Sequence, residues 1–152
     1  MDGITLLKSD HKEVEALFKT FEKLGDGAIE KKQQTVRKII EALSVHAAIE
    51  EAVFYPAVRS EVPDTDDDIL EAVEEHHIVK WVLAELDSLT PEDERYDAKV
   101  TVLIENVRHH VEEEESELFP EVRSALGRKR LAEIGAELED AKKSAPTKPL
   151  PE

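Results

Sequence analysis

An all-α fold, arranged as an antiparallel up-down-up-down four-helix bundle with a short extra C-terminal helix, is predicted by three features of this 152-residue chain. Helix breakers are rare and segregated: there are five glycines, and the prolines fall at Pro56, Pro63, Pro91, Pro120 and in the C-terminal tail. The stretches between them are rich in Ala, Leu, Glu and Lys, residues that lose little on entering a helix. Apolar residues recur at steps of three and four in four separate segments, the stripe by which an amphipathic helix faces a core.

The first stripe runs Ile4, Leu7, His11, Val14, Phe18, Phe21, and ends at the Gly25–Gly27 break. The second runs Val36, Ile39, Leu43, His46, Glu50, Val53, with a helix break expected at Pro56. After the acidic turn VPDTDDD (62–68), the third runs Ile69, Ala72, His76, Val79, Leu83, Leu86. After SLTPEDE (88–94), the fourth runs Val100, Leu103, Val107, His110, Glu114. Both turns carry the Pro and Asp/Ser/Thr that start helices. Such short connections favour antiparallel neighbours. RKRLAEIGAELEDAKK, following Gly127, places Leu131, Ile134 and Leu138 on one side and is expected to pack outside the bundle. Residues 1–142 are therefore expected to form a single domain, and the Pro-rich SAPTKPLPE, within 143–152, a disordered tail.

Charge and composition narrow the function. A net charge of −16 opposes a nucleic-acid partner and anionic membrane surfaces, both of which are held by clustered Lys and Arg. No apolar run approaches the ~20 residues needed to cross a bilayer, and MDGITLLKSDHK lacks the plan of a secretory signal, so a cytoplasmic protein is expected. The absence of cysteine removes disulfides, thiolate catalysis and sulfur-ligated metals. Any metal must be held by His and carboxylate.

Those residues occur in a repeated pattern. Each stripe has a histidine at a core position, and the second and fourth carry HxxxE pairs, His46/Glu50 and His110/Glu114, each followed by a proline ten residues after its histidine. Four residues of helix bring imidazole and carboxylate to one face. His11 precedes His46 by 35 residues and His76 precedes His110 by 34, so each half supplies one histidine and one HxxxE pair. Six inward polar groups need a common partner, since an isolated buried carboxylate costs several kcal/mol or takes up a proton. An imidazole/carboxylate set suits a borderline transition metal such as iron better than calcium or magnesium. Two carboxylates for two ions imply bridging.

The residues SDHKEVEALFKTFE, HAAIEEAVFYP, EEHHIVKWVLAEL and HVEEEESELFP together resemble the four ligand-bearing segments of the hemerythrin-like, or HHE cation-binding, proteins. The resemblance spans roughly Leu6 to Lys142. It implies a non-haem diiron centre ligated by His11, His46, Glu50, His76, His110 and Glu114, the same six residues, with two iron ions, bridging carboxylates and a solvent-derived oxo or hydroxo bridge. Oxygen carriers of that family have HxxxH on the third helix, whereas Lys80 lies four residues after His76 here. The departure favours redox turnover at open metal positions, most concretely disproportionation of hydrogen peroxide. The alternatives are reversible binding or sensing of O2 or nitric oxide, and iron sensing or storage coupled to folding. A metal-free interaction module has little support, because no exposed apolar stripe beyond the core faces is evident.

Seven further positions stay open. His77 shares a face with Leu70, Val73 and Trp81 and competes weakly with His76. His109 reads as a rim residue, and Tyr55 as a core or hydrogen-bonding group beside the site. Glu51 and Glu115, like Glu112 and Glu113, are expected to face solvent, accept from a ligand histidine or guide cations.

Overall fold

A computed structural model describes residues 1–149, all of them helical, turn or irregular. Helices α1 (Gly3–Glu22), α2 (Ile29–Ile49), α3 (Tyr55–Glu61), α4 (Asp66–Asp87), α5 (Tyr96–Glu113), α6 (Phe119–Ala125) and α7 (Arg128–Lys142) are joined by short turns and by two π-helical segments, Glu50–Phe54 and Glu114–Leu118. Helix α1 packs on α2 and α4 on α5, α2 also meets α4, and α7 lies across α1, α2 and the first π segment. The expected disorder at 150–152 lies outside the described residues. Between 143 and 149, Ala145 touches the apolar core and Lys148 pairs with Asp87 at 3.5 Å.

Helix starts follow local chemistry. Asp2 caps α1 by accepting from the Thr5 backbone N–H at 2.8 Å. Asp66, Asp67 and Asp68 fill the first turn of α4, where negative charge meets the positive end of the helix dipole.

The expected break at Pro56 does not occur. A proline inside an α-helix loses one hydrogen bond, and its ring clashes with the carbonyl four residues back. Here the preceding turn widens by one residue: Tyr55 N–H bonds to Glu50 O, five residues back, and the chain continues into α3 with helical dihedrals. The same happens before Pro120, where Phe119 N–H bonds to Glu114 O. A π turn also changes register. Residues five apart come to lie one above the other, so Tyr55 stands over Glu50, and Phe119 over Glu114.

The apolar core is split into two clusters. One gathers Leu7, Ile49, Phe54, Val58 and Phe119 with Ile134 and Leu138 of α7; the other gathers Val14, Phe18, Leu43, Val79, Leu83 and Val107. The four stripe histidines lie in sequence between them, His11 between Leu7 and Val14, His76 between Ala72 and Val79. A polar layer thus divides two apolar ones. The apolar stripe of α7 is buried as expected, through Leu131, Ile134 and Leu138.

The surface differs from expectation in one respect. Leu70 and Trp81, with Ile78 to one side, form an exposed apolar strip on α4, Trp81 being 66% accessible. The sequence places Leu70, Val73 and Trp81 on one face with His77, and Leu70 and Trp81 of that face, opposite the core stripe, are left uncovered.

Glycine matters where α7 crosses the chain start. A Cβ on Gly135 would stand 2.1 Å from Met1 O and 3.0 Å from the Asp2 carbonyl carbon, and both neighbours are backbone. Gly135→Ala is expected to destabilise the protein by roughly 1–3 kcal/mol, lowering the melting temperature by about 2–4 °C per kcal/mol in a chain of this size. Gly25→Ala, with nothing within 4 Å of its Cβ, is the control and should melt like the parent.

Candidate metal centre

The polar layer gathers all six predicted residues. His11 comes from α1, His46 from α2, His76 from α4 and His110 from α5, while Glu50 and Glu114 open the two π segments. All six are buried, Glu50 completely. Their donor atoms form two groups, His11/His46/Glu114 and Glu50/His76/His110, each with its ligand atoms within 4.8 Å of one another.

Each glutamate reaches histidines of both groups. Glu50 Oε1 lies 3.0 Å from His46 Nε2 and 3.2 Å from His76 Nε2. Glu114 Oε1 lies 3.1 Å from His11 Nε2, and Glu114 Oε2 3.3 Å from His110 Nε2. Despite these distances, His11 Nε2, His46 Nε2, both oxygens of Glu50 and Glu114 Oε1 make no hydrogen bond. Buried polar atoms are almost always bonded. Five unbonded ones, close together but not aimed at each other, fit a shared cation at the point they surround.

The opposite edge of every imidazole is held by a carboxylate. His11 Nδ1 meets Glu115 at 2.6 Å, His46 Nδ1 meets Asp10 at 2.9 Å, His76 Nδ1 meets Glu51 at 2.9 Å and His110 Nδ1 meets Glu75 at 2.8 Å. An Nδ1–H donating to a carboxylate fixes the ring so that Nε2 presents its lone pair inward, as a metal-ligating imidazole requires. Two of these carboxylates are steadied from outside: Lys80 Nζ donates to Glu51 at 2.9 Å, and Lys142 of α7 donates to Asp10. Lys80, where an oxygen carrier has histidine, therefore acts one layer outside the centre.

Asp10 and Glu75 were missed in the sequence. Their signal was adjacency, since each precedes a stripe histidine (Asp10-His11, Glu75-His76) but serves the histidine of the neighbouring helix. Glu51 and Glu115 act as acceptors, one of the roles expected of them.

Tyr55 sits inside the layer. Its hydroxyl donates to Glu114 Oε2 at 2.7 Å and stands 3.3 Å from His76 Nε2 and 3.4 Å from His110 Nε2. Burial, reinforced by the charges of Glu50 and Glu114, pushes its pKa well above the ordinary value of 10.0. The phenol keeps its proton, and the hydrogen-bonding role is the one observed. The equivalent Phe119 instead stacks on His11, with centroids 5.8 Å apart and planes 6° from parallel. His77 is exposed on α4, away from both donor groups. His109 is at the rim, 3.0 Å from Glu113.

Two openings reach the layer. A pocket walled by Val14, Leu43, Ala47, Val79, Val107 and Val111 ends on the four histidines. On the π-segment side, an acidic cleft ends on His110 and Glu114.

A helical bundle with paired His/carboxylate donor groups at its centre is an arrangement that could hold metal cations. The chain belongs to the hemerythrin HHE cation binding domain family, whose model matches residues 2–122. It is 30% identical over 137 residues to a protein from Nostoc sp. named DNA nickase, covering 90% of this chain and 38% of that one. The present chain thus spans under two fifths of that relative's length. In fold it is similar to a hemerythrin HHE cation binding domain-containing protein from Mycobacterium kansasii, with a TM-score of 0.79 and 21% identity, over 95% of this chain and 89% of the other. Among the described residues no helix is long and apolar enough to cross a membrane.

The electrostatics predict how a cation competes with protons. Burial alone would lower the His46 pKa, but the charges of Glu50 and the bond to Asp10 raise it to about 10. For His110, burial likewise lowers the pKa, but the bonds to Glu114 and Glu75 outweigh burial and raise the pKa to about 11. An entering cation must displace these protons. Apparent metal affinity is therefore expected to rise steadily between pH 6 and pH 9, measured by competition with a chelator of known protonation; a flat profile would contradict protonated histidines. In chelator-stripped protein, the raised histidine pKa values give stability that is complete below pH 6.5 and lost as pH rises through about 10 to 11. Its melting temperature should fall over that range. Asp10→Asn and Glu75→Gln should each weaken metal binding by about 10- to 100-fold while leaving helix content unchanged.

Proposed function

We propose that residues 1–142 form an antiparallel up-down-up-down four-helix diiron bundle, with α7 as its extra helix and 143–152 as a tail, and that the centre disproportionates hydrogen peroxide. His11, His46 and Glu114 would hold one iron and Glu50, His76 and His110 the other. The two glutamates would bridge, with a solvent-derived oxo or hydroxo group completing the bridge. A bound iron pair supplies two-electron redox chemistry at positions open to exchange. Two hydrogen peroxide molecules give one O2 and two waters: one peroxide loses two electrons and two protons, and the other accepts both and its O–O bond breaks.

The observation that carries this reading is the small donor count facing a dedicated pocket. Each donor group offers one carboxylate and two imidazoles, and Lys80 is committed to Glu51 instead of adding a ligand. An open position distinguishes a reactive metal site from a closed one. The chain's own residues then divide the work. Valines, Leu43 and Ala47 admit a small neutral molecule and keep bulk water from the imidazoles. Asp10, Glu51, Glu75 and Glu115 hold the rings in orientation. Tyr55 keeps a proton at its hydroxyl, hydrogen-bonded to Glu114 and within 3.4 Å of two imidazole nitrogens, where a peroxide oxygen has a donor at hand.

The same apolar lining favours a second reading, reversible binding of O2 or nitric oxide, because neutral diatomic ligands need no polar partner to enter. DNA strand cleavage is not part of the proposal. The Nostoc relative is mostly sequence that this chain does not match, and a charge of −16 opposes phosphate backbones.

Oxygen evolution, followed by electrode after hydrogen peroxide is added to protein loaded with two irons per chain, is expected to continue over many turnovers and to be absent from metal-free protein. No evolution, with a stable oxygenated species that returns unchanged on deoxygenation, would replace turnover with gas binding. His46→Ala and Glu114→Ala should abolish iron retention and activity together, and full activity in an iron-free variant would overturn the proposal. Tyr55→Phe should retain both irons and lower peroxide turnover by roughly 10²-fold or more, the scale of a positioned proton donor.

A further inference from the structure

A third cation-binding cluster lies outside the centre. Glu75, His109 and Glu113 each offer a ligand atom, all within 4.8 Å of one another; Glu75 and Glu113 line the acidic cleft, and His109 stands beside Glu113. His109 and Glu113 are an HxxxE pair displaced by a single residue from His110 and Glu114 on the same helix. Glu113 lines the cleft, His110 and Glu114 stand at its inner end, and His109 lies exposed beside Glu113 at 3.0 Å. Glu75 joins the two levels, because it accepts from His110 Nδ1 at 2.8 Å and also belongs to the outer cluster.

The cleft connecting them is one-signed. Asp68, Glu71, Glu75, Glu113, Glu114 and Glu117 line it, and no Lys or Arg is among its described lining residues. At its inner end stands Glu114, whose side chain is 2% exposed and whose Oε1 has no hydrogen-bond partner. A cleft lined by carboxylates focuses its field and concentrates cations at its mouth. The imidazole adds affinity for borderline transition metals that a purely carboxylate mouth would lack.

We infer that Glu75, His109 and Glu113 form an outer capture site for a divalent transition metal, from which ions pass down the acidic cleft to His110 and Glu114. This rests on the diiron reading above and adds a loading route to it. The apolar pocket on the histidine side and the acidic cleft on the π-segment side then serve different cargo, neutral small molecules through one and metal ions through the other. His109, partly solvent-exposed and irrelevant to the inner donor set, acquires a function.

The test uses Co2+ as a redox-inert probe on the full chain, with equilibrium dialysis for stoichiometry and stopped-flow absorbance of the cobalt bands for the rate of filling. Parent protein is expected to bind two ions tightly and a third more weakly. The double variant His109→Ala/Glu113→Gln should bind two ions only, with their affinity unchanged, and should fill on the order of ten-fold more slowly at low ionic strength, with the difference shrinking as salt is added. Two ions in both proteins at equal rates would overturn the capture site and leave the diiron centre standing. One ion in the parent, lost in the variant, would instead establish the capture site and refute the inner centre. Glu117→Gln, which touches no histidine, should slow filling without removing the third ion; an unchanged rate would argue against passage along the cleft.

Discussion

Two carboxylates buried at the middle of a helical bundle set the terms for the rest of the molecule. Glu50 and Glu114 are almost wholly withdrawn from water, and a bare ion there would cost several kcal/mol even after the protein relaxes. Everything within reach answers that cost. Four imidazoles present their Nε2 edges, four outer carboxylates lock those rings, and Lys80 and Lys142 neutralise two of the outer charges. The result is a polar layer that is strongly ordered by its own partners yet keeps a few inner atoms without hydrogen bonds, a combination suited to a positive charge at its centre.

The helices carrying this layer were legible because period and chemistry coincide. His11, His46, His76 and His110 interrupt apolar stripes at core positions, and the HxxxE spacing put Glu50 and Glu114 on the same inward face, so one argument gave both the elements and the candidate site residues. What escaped was whatever depends on neighbouring helices or on helix register. Asp10 and Glu75 support histidines on other helices, which no periodicity within one segment can reveal. The π segments were invisible because a widened turn has no composition of its own, and Pro56 and Pro120 read as ends of helices although the chain passes through both. The face of α4 that carries Leu70 and Trp81 was read, but not that it lies exposed, with Ile78 beside it.

The two halves repeat at offsets of 65 and 64 residues, pairing Asp10 with Glu75, His11 with His76, Glu50 with Glu114 and Glu51 with Glu115. The repeat breaks where chemistry is decided. Tyr55 places a hydroxyl beside His76 and His110, whereas Phe119, its counterpart, lays an apolar ring on His11. Lys80 steadies Glu51, whereas its counterpart Glu15 pairs with Arg108 at 2.8 Å, on the surface. The two donor groups thus have the same composition but different surroundings, a buried hydroxyl on one side of the centre and an apolar ring on the other.

The C-terminal helix has a consequence for how the molecule comes into being. All six candidate ligands precede residue 115, yet the apolar cluster beneath the polar layer is closed by Ile134 and Leu138, and Asp10, which holds His46, is gripped by Lys142. Every ligand is therefore synthesised before the segment that seals and braces their surroundings. Until α7 docks, the apolar cluster lacks Ile134 and Leu138, and Asp10 lacks the grip of Lys142. The bracing of the centre thus comes from chain that is C-terminal to every residue it supports.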